Sequence, residues 1–131
     1  MKIKQTTFYA LRAIRRIHME DGEVVTSIAI AEKEGISSGV LIRLLRKLSD
    51  AGILKSHQGR GSICGGFSLV KSIDEISFFD IIQLLEDVEI DINLGEELRK
   101  KETHLSDKCH QINEYLKEEL SKYTIRVLFG L

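Results

Sequence analysis

The chain has 131 residues, 43% hydrophobic and 30% charged, with no proline and two cysteines, enough to bury a core without disulfides and unlike a disordered chain or an all-β sandwich. No apolar run reaches the roughly 18 to 20 residues of a membrane span, and basic residues interrupt the start, MKIKQTTFYALRAIRRI, so neither a signal peptide nor a membrane anchor is expected and the protein reads as cytoplasmic. The net charge of −1 hides an asymmetry: residues 1–71 hold 12 Lys and Arg against 6 Asp and Glu, residues 72–131 hold 7 against 14, which suits a polyanion at the front unless these are simply solvated helix faces.

Residues 6–19 predict a helix, with Phe8, Ala10, Leu11, Ala13, Ile14 and Ile17 along one stripe and Arg12, Arg15 and Arg16 elsewhere on the surface. Asp21-Gly22 is a turn signal. Thr26 is a candidate N-cap for a short helix over 27–34 with Ile28, Ile30 and Ala31 inward. Gly35 stands where a tight turn wants positive φ, and Ile36 plugs the corner. Ser37 or Ser38 then caps a helix to about Asp50, its Val40, Leu41, Leu44, Leu45 and Leu48 inward and Arg43, Arg46 and Lys47 outward. Two helices held by so short a turn can project the second into a DNA major groove, its amino-terminal residues nearest the bases. An ordinary helical hairpin is the plainer alternative.

A strand starting at Ile53 and a returning strand from Gly65 to Lys71, with Phe67 and Leu69 inward, predict a β-hairpin directly after the helix pair. Its connection, His57 to Cys64, is glycine-rich and carries Arg60, placed to enter a minor groove. The loop lacks the Gly-Lys-Ser/Thr of a phosphate-binding loop and no strand-loop-helix order surrounds it, which disfavours nucleotide binding. The expected fold is mainly α with a small β-hairpin: a winged helix-turn-helix over 1–71, then a helical region over 72–131 ending in a long dimerisation helix.

The runs YALRAI, IAIAEKEGIS, LIRLLRKLSDAGILKS, the Gly-Gly-aromatic-x-Leu of the wing and DEISFFDIIQLLEDVE resemble, in this order, the IscR/NsrR/CymR family of bacterial winged-helix regulators. The resemblance implies a homodimer, usually a repressor, on a palindromic operator in double-stranded DNA. It implies recognition-helix contacts at Ser37, Ser38, Gly39 and Arg43, phosphate contacts near Lys4, Thr7 and Tyr9, and a wing contact at Arg60. The wing departs from the family: Ser62-Ile63-Cys64 reads as a three-residue insertion that leaves a thiol on the tip, either redox-active or incidental.

In the rear half, Ser77 and Asp80 form a capping pattern for a helix whose Phe78, Phe79, Ile81, Ile82, Leu84 and Leu85 make it apolar on most sides and predict central burial. Residues 90–104 read as a loop or short helix. Leu105, Cys109, Ile112, Leu116, Leu120, Tyr123 and Val127 then recur at steps of three and four, predicting one long helix with a narrow apolar seam that packs on its own chain or on a second subunit. Cluster-binding members of the family resemble one another in three cysteines before this helix; only Cys109 remains, and Phe8 stands where some carry a carboxylate ligand. The cofactor reading therefore stays open between none and an iron–sulfur or metal site of unusual ligands drawn from Cys64, Cys109, His104 and His110. No catalytic constellation stands out. The competing function is a winged-helix adaptor working through a partner protein, and either reading leaves room for a small-molecule effector.

Overall fold

The computed structural model describes residues 2–21, 23–59, 64–86 and 95–131. Helix α1 (Gln5–Met19) buries Thr7, Ala10, Leu11, Ala13, Ile14 and Ile17, the predicted stripe with Thr7 added and without Phe8, which was expected inward but is exposed. Helix α2 (Ser27–Glu34) starts where Thr26 accepts a hydrogen bond from the Ala29 N–H at 3.1 Å. Its buried face is Ile30, Ala31 and Glu34, whereas Ile28, expected inward, is 63% exposed. The reason is phase: two residues turn an α-helix by about 200°, so Ile28 and Ile30 point opposite ways and only one can face the core.

Gly35 takes the left-handed conformation, φ 65°, and the buried Ile36 donates its N–H to Ala31 O at 3.0 Å, closing the turn. Helix α3 (Ser38–Asp50) buries Leu41, Leu44, Leu45 and Leu48. Ser37 holds its N-cap position, although its side chain makes no capping bond. Helices α1, α2 and α3 pack on one another around this shared leucine, isoleucine and alanine core.

The wing is an antiparallel pair, β1 (Leu54–Gln58) and β2 (Cys64–Leu69), in the register Leu54↔Leu69 to Gln58↔Cys64 with an irregularity after His57. The returning strand thus begins and ends earlier than the sequence suggested, and Cys64 is not a tip residue: its backbone pairs opposite Gln58. Phe67 exchanges both backbone hydrogen bonds with Val25, at 2.8 and 2.9 Å, which ties the hairpin to the segment before α2. Gly66 is required here, because its φ is 115° and a Cβ would lie 2.6 Å from Val25 O.

Helix α4 (Phe78–Leu85) opens with the predicted reciprocal capping box between Ser77 and Asp80. Only Ile81 and Ile82 are buried on it; Phe78, Phe79 and Leu85 are half-buried and Leu84 is exposed, so it lies over the core rather than through it. Helix α5 (Gly95–Lys101) fills part of the stretch read as loop or short helix, and α6 (Thr103–Ser121) follows.

The seam was expected to run unbroken to Val127, but α6 ends at Ser121 and a separate helix α7 (Ile125–Phe129) begins. The break is built by backbone pairing: Phe78 N–H donates to Tyr123 O at 2.7 Å and Ile125 N–H to Ile76 O at 2.9 Å. Thr124 is extended between them and caps α7 through its hydroxyl. Ile125 is fully buried, and Arg126 pins α7 to Asp74 at 2.6 Å, a bond that holds the Asp74 carboxyl below its usual range. Among the described residues no helix is long and apolar enough to cross a membrane.

Candidate nucleic-acid interface

The amino-terminal end of α3 is open. Ser37, Ser38 and Gly39 are exposed, and Arg43, one turn on, is exposed with its Nε donating to Gly39 O at 3.3 Å. Such a terminus offers unpaired N–H groups and the positive end of the helix dipole, both suited to phosphate. Beside it lies a hollow of about 280 Å³ lined by Lys4, Thr6, Val40, Arg43, Leu44, Lys47 and Leu85. Three cations from α3 and the residue preceding α1 therefore edge one concavity, and among the described residues no carboxylate lines it. Lys47 was recognised from sequence only as outward-facing; its four-residue step from Arg43 is the signal that pairs the two on one helix face.

The other sequence candidates divide. Lys4 lines the hollow, but its backbone N–H donates to Glu86 Oε1 at 2.6 Å. Thr7 has no surface to offer DNA: it is buried, and its hydroxyl donates to the same Glu86 oxygen at 2.8 Å. Its expected phosphate contact is therefore withdrawn. The orphan donors at the start of α1 explain this, since Glu86 arrives from the end of α4 to satisfy them. The Lys4 N–H holds the Glu86 carboxyl below its usual range, desolvation opposes it, and the Thr7 hydroxyl and the Lys4 charge reinforce it. Tyr9 is half-buried, with the Arg12 guanidinium 5.8 Å from its ring centroid. Arg60 lies outside the described residues.

Arg12, Arg15 and Arg16 are not loose surface charges either. They converge on Glu34, whose side chain is 3% exposed, at 3.3, 3.5 and 2.9 Å. Arg12 also donates to the Glu34 backbone carbonyl. Burial works to raise the Glu34 pKa, but the Arg16 hydrogen bond and the charges of Arg16, Arg12 and Arg15 prevail and hold it low. The cluster rivets α1 to the end of α2 just before the Gly35 turn, so it helps fix the angle at which α3 leaves. Sequence periodicity could not reveal it, because Glu34 lies 18 to 22 residues from its partners.

Of the residues named for a metal, the three on α6 do not converge. His104 and His110 are exposed on α6 and Cys109 is half-buried. At about 100° per residue, His104 lies about 140° from Cys109 and His110 about 100° from it, so the three cannot share one face. Among the described residues no group of three His, Cys, Asp or Glu side chains is placed to hold a metal ion. His57 belongs to the wing, its Nε2 2.7 Å from Ser68 Oγ.

The model of the Rrf2 family, described as iron-dependent transcriptional regulators, matches residues 3–130. The chain belongs to the Rrf2 family. Its curated relatives include protein rrf2 of Nitratidesulfovibrio vulgaris, 33% identical over 74% of this chain and 63% of that protein. Protein aau3 of Rhizobium meliloti is 32% identical over 66% of this chain and 54% of its own length. The chain thus matches between half and two thirds of each. Among solved structures it is similar to CymR (YrzC), the global cysteine regulator of B. subtilis, with TM-score 0.68, 27% identity and coverage of 98% and 95%. It is also similar to T. potens IscR, with TM-score 0.64, 25% identity and coverage of 99% and 87%. Rrf2 proteins are transcriptional regulators rather than enzymes, and their winged-helix fold is the one described above. The iron in the family description finds no matching ligand set among the described residues of this Rrf2 chain.

Proposed function

We propose that the chain is a DNA-binding transcriptional repressor that acts as a twofold homodimer on a palindromic operator. The observation carrying this reading is the exposed α3 amino terminus beside the hollow edged by Lys4, Arg43 and Lys47. Ser37, Ser38 and Gly39 reach base edges, Arg43 reads a base or an adjacent phosphate, and Lys4 and Lys47 hold the backbone. Arg60, from the wing, takes the minor groove.

Dimerisation is supported by α6, on which no residue is buried. Leu105 and Ile112 are exposed and Leu116 and Leu120 half-buried along one side of a helix about 28 Å long. Against the same helix of a second copy this seam closes isologously, and a twofold pair of α3 helices matches a palindrome. Cys109, half-buried on that seam, serves there as a small apolar residue. A chain with this task works in the cytoplasm, where it meets chromosomal DNA.

Selection of bound sequences from a random duplex pool, with sedimentation of the free protein, tests the proposal. A dimer that enriches one inverted repeat supports it. Enrichment of no sequence by a folded dimer would favour the adaptor reading, in which the same fold contacts a partner protein.

A further inference from the structure

A second hollow, of about 210 Å³, lies where α1, α4 and α7 meet, lined by Phe8, Leu11, Arg12, Phe78, Leu128 and Phe129. Among the described residues five of the six that line it are apolar, and Phe8 remains 47% exposed. An apolar cavity of about 150 Å³ takes up benzene, so this one has room for a single aromatic ring and a short arm. Drug-sized molecules need about 300 Å³ or more and are too large for it.

Its polar edge is cationic. Arg12, the charged residue of the lining, belongs to the cluster in which three guanidinium groups share the one Glu34 carboxylate, an excess of positive charge. A second member, Arg15, stands 4.3 Å over the Phe129 ring, against the wall of the hollow. The bonds of Arg12 to Glu34 use its Nε and Nη2. A guanidinium carries five N–H donors in a planar fork that matches a carboxylate, so donors remain for an incoming anion.

We propose that this hollow binds a small aromatic carboxylate, its ring among Phe8, Phe78 and Phe129 and its carboxylate on Arg12. The same Arg12 lies over Tyr9, on the helix whose first turn follows Lys4. A link from the hollow to the DNA face would run along α1, and by thermodynamic reciprocity DNA would then alter affinity for the acid. That link rests on the DNA-binding reading; the site itself does not.

The test is a titration of the 15N-labelled full chain with 3-phenylpropionate and with its neutral analogue 3-phenylpropanamide, read by amide shifts. Saturable shifts on α1, α4 and α7, with the acid binding about tenfold more tightly than the amide, are expected for one charge-assisted contact. Leu128→Trp, which fills the hollow, abolishes binding while the melting curve shows a folded chain; Phe8→Trp serves if that variant does not fold. Absence of saturable shifts, equal binding of acid and amide, or unchanged binding in the filled variant would overturn the proposal. So would binding that appears only on dilution to monomer, which would show that a second copy covers the hollow.

Discussion

Replacing Glu34 with glutamine keeps the shape of the side chain and removes the charge on which Arg12, Arg15 and Arg16 converge. Breaking a well-buried ion pair costs about 3–5 kcal/mol. Glu34 is deeply placed, but its arginine partners retain 22% to 36% exposure and can turn toward water. Gln can still accept one of the hydrogen bonds. Both effects reduce the loss, so about 2–3 kcal/mol is expected for Glu34→Gln. A domain of this size unfolds with an entropy near 2.1 cal/mol/K per residue, which converts that loss to a fall in Tm of about 7–11 °C.

The assay is thermal unfolding followed by circular dichroism from pH 7 to pH 3. Because the folded pKa of Glu34 lies below its unfolded value, its contribution is complete above the ordinary carboxylate range and is lost as pH falls through the lower, folded value. The gap between wild type and variant should therefore close at the acid end. A variant melting within about 2 °C of wild type at pH 7, or a gap unchanged at pH 3, would refute the argued role of the cluster.

Gly66→Ala places a methyl group 2.6 Å from Val25 O at a φ of 115°; it should cost about 2 kcal/mol or more and lower Tm accordingly. Thr7→Val and Glu86→Gln each weaken the hydrogen bonds at the start of α1. Thr7→Val should cost about 1 kcal/mol and Glu86→Gln should lower stability in the same direction, with the double variant well short of the sum, as denaturant unfolding would show. Ile112→Asp with Leu116→Asp puts charge on the α6 seam, where neither side chain is buried within its own chain. The double variant should sediment as a folded monomer; a persistent dimer would place the interface elsewhere.

Local chemistry was legible in the sequence wherever one short segment contained the whole reason for its structure. The Thr26 cap, the Gly35 turn, the buried Ile36, the leucines of α3 and the Ser77–Asp80 capping box all follow from neighbours within a few residues. Interactions between distant segments were not legible. Thr7 resembled an exposed phosphate contact until Glu86, 79 residues away, supplied its acceptor. The three arginines of α1 resembled a solvated face for the same reason. Period alone also misled at the end of the chain, where Tyr123 and Val127 keep step with the α6 seam although backbone pairing to Ile76 and Phe78 divides the helix between them. Cys64 was misplaced because the strand starts one residue before the glycine pair that resembled its beginning.

The central claim is that α3 and Lys4 form a DNA-reading surface, and the salt dependence of operator binding tests it most directly. Fluorescence anisotropy at several salt concentrations should give a log–log slope that becomes shallower by about 2 in Lys47→Ala, because each protomer of the dimer then neutralises one phosphate fewer. Arg43→Ala should in addition relax sequence preference at one position of each half-site. Affinity that ignores salt, or variants at Lys47 and Arg43 indistinguishable from wild type in slope and preference, would contradict the account.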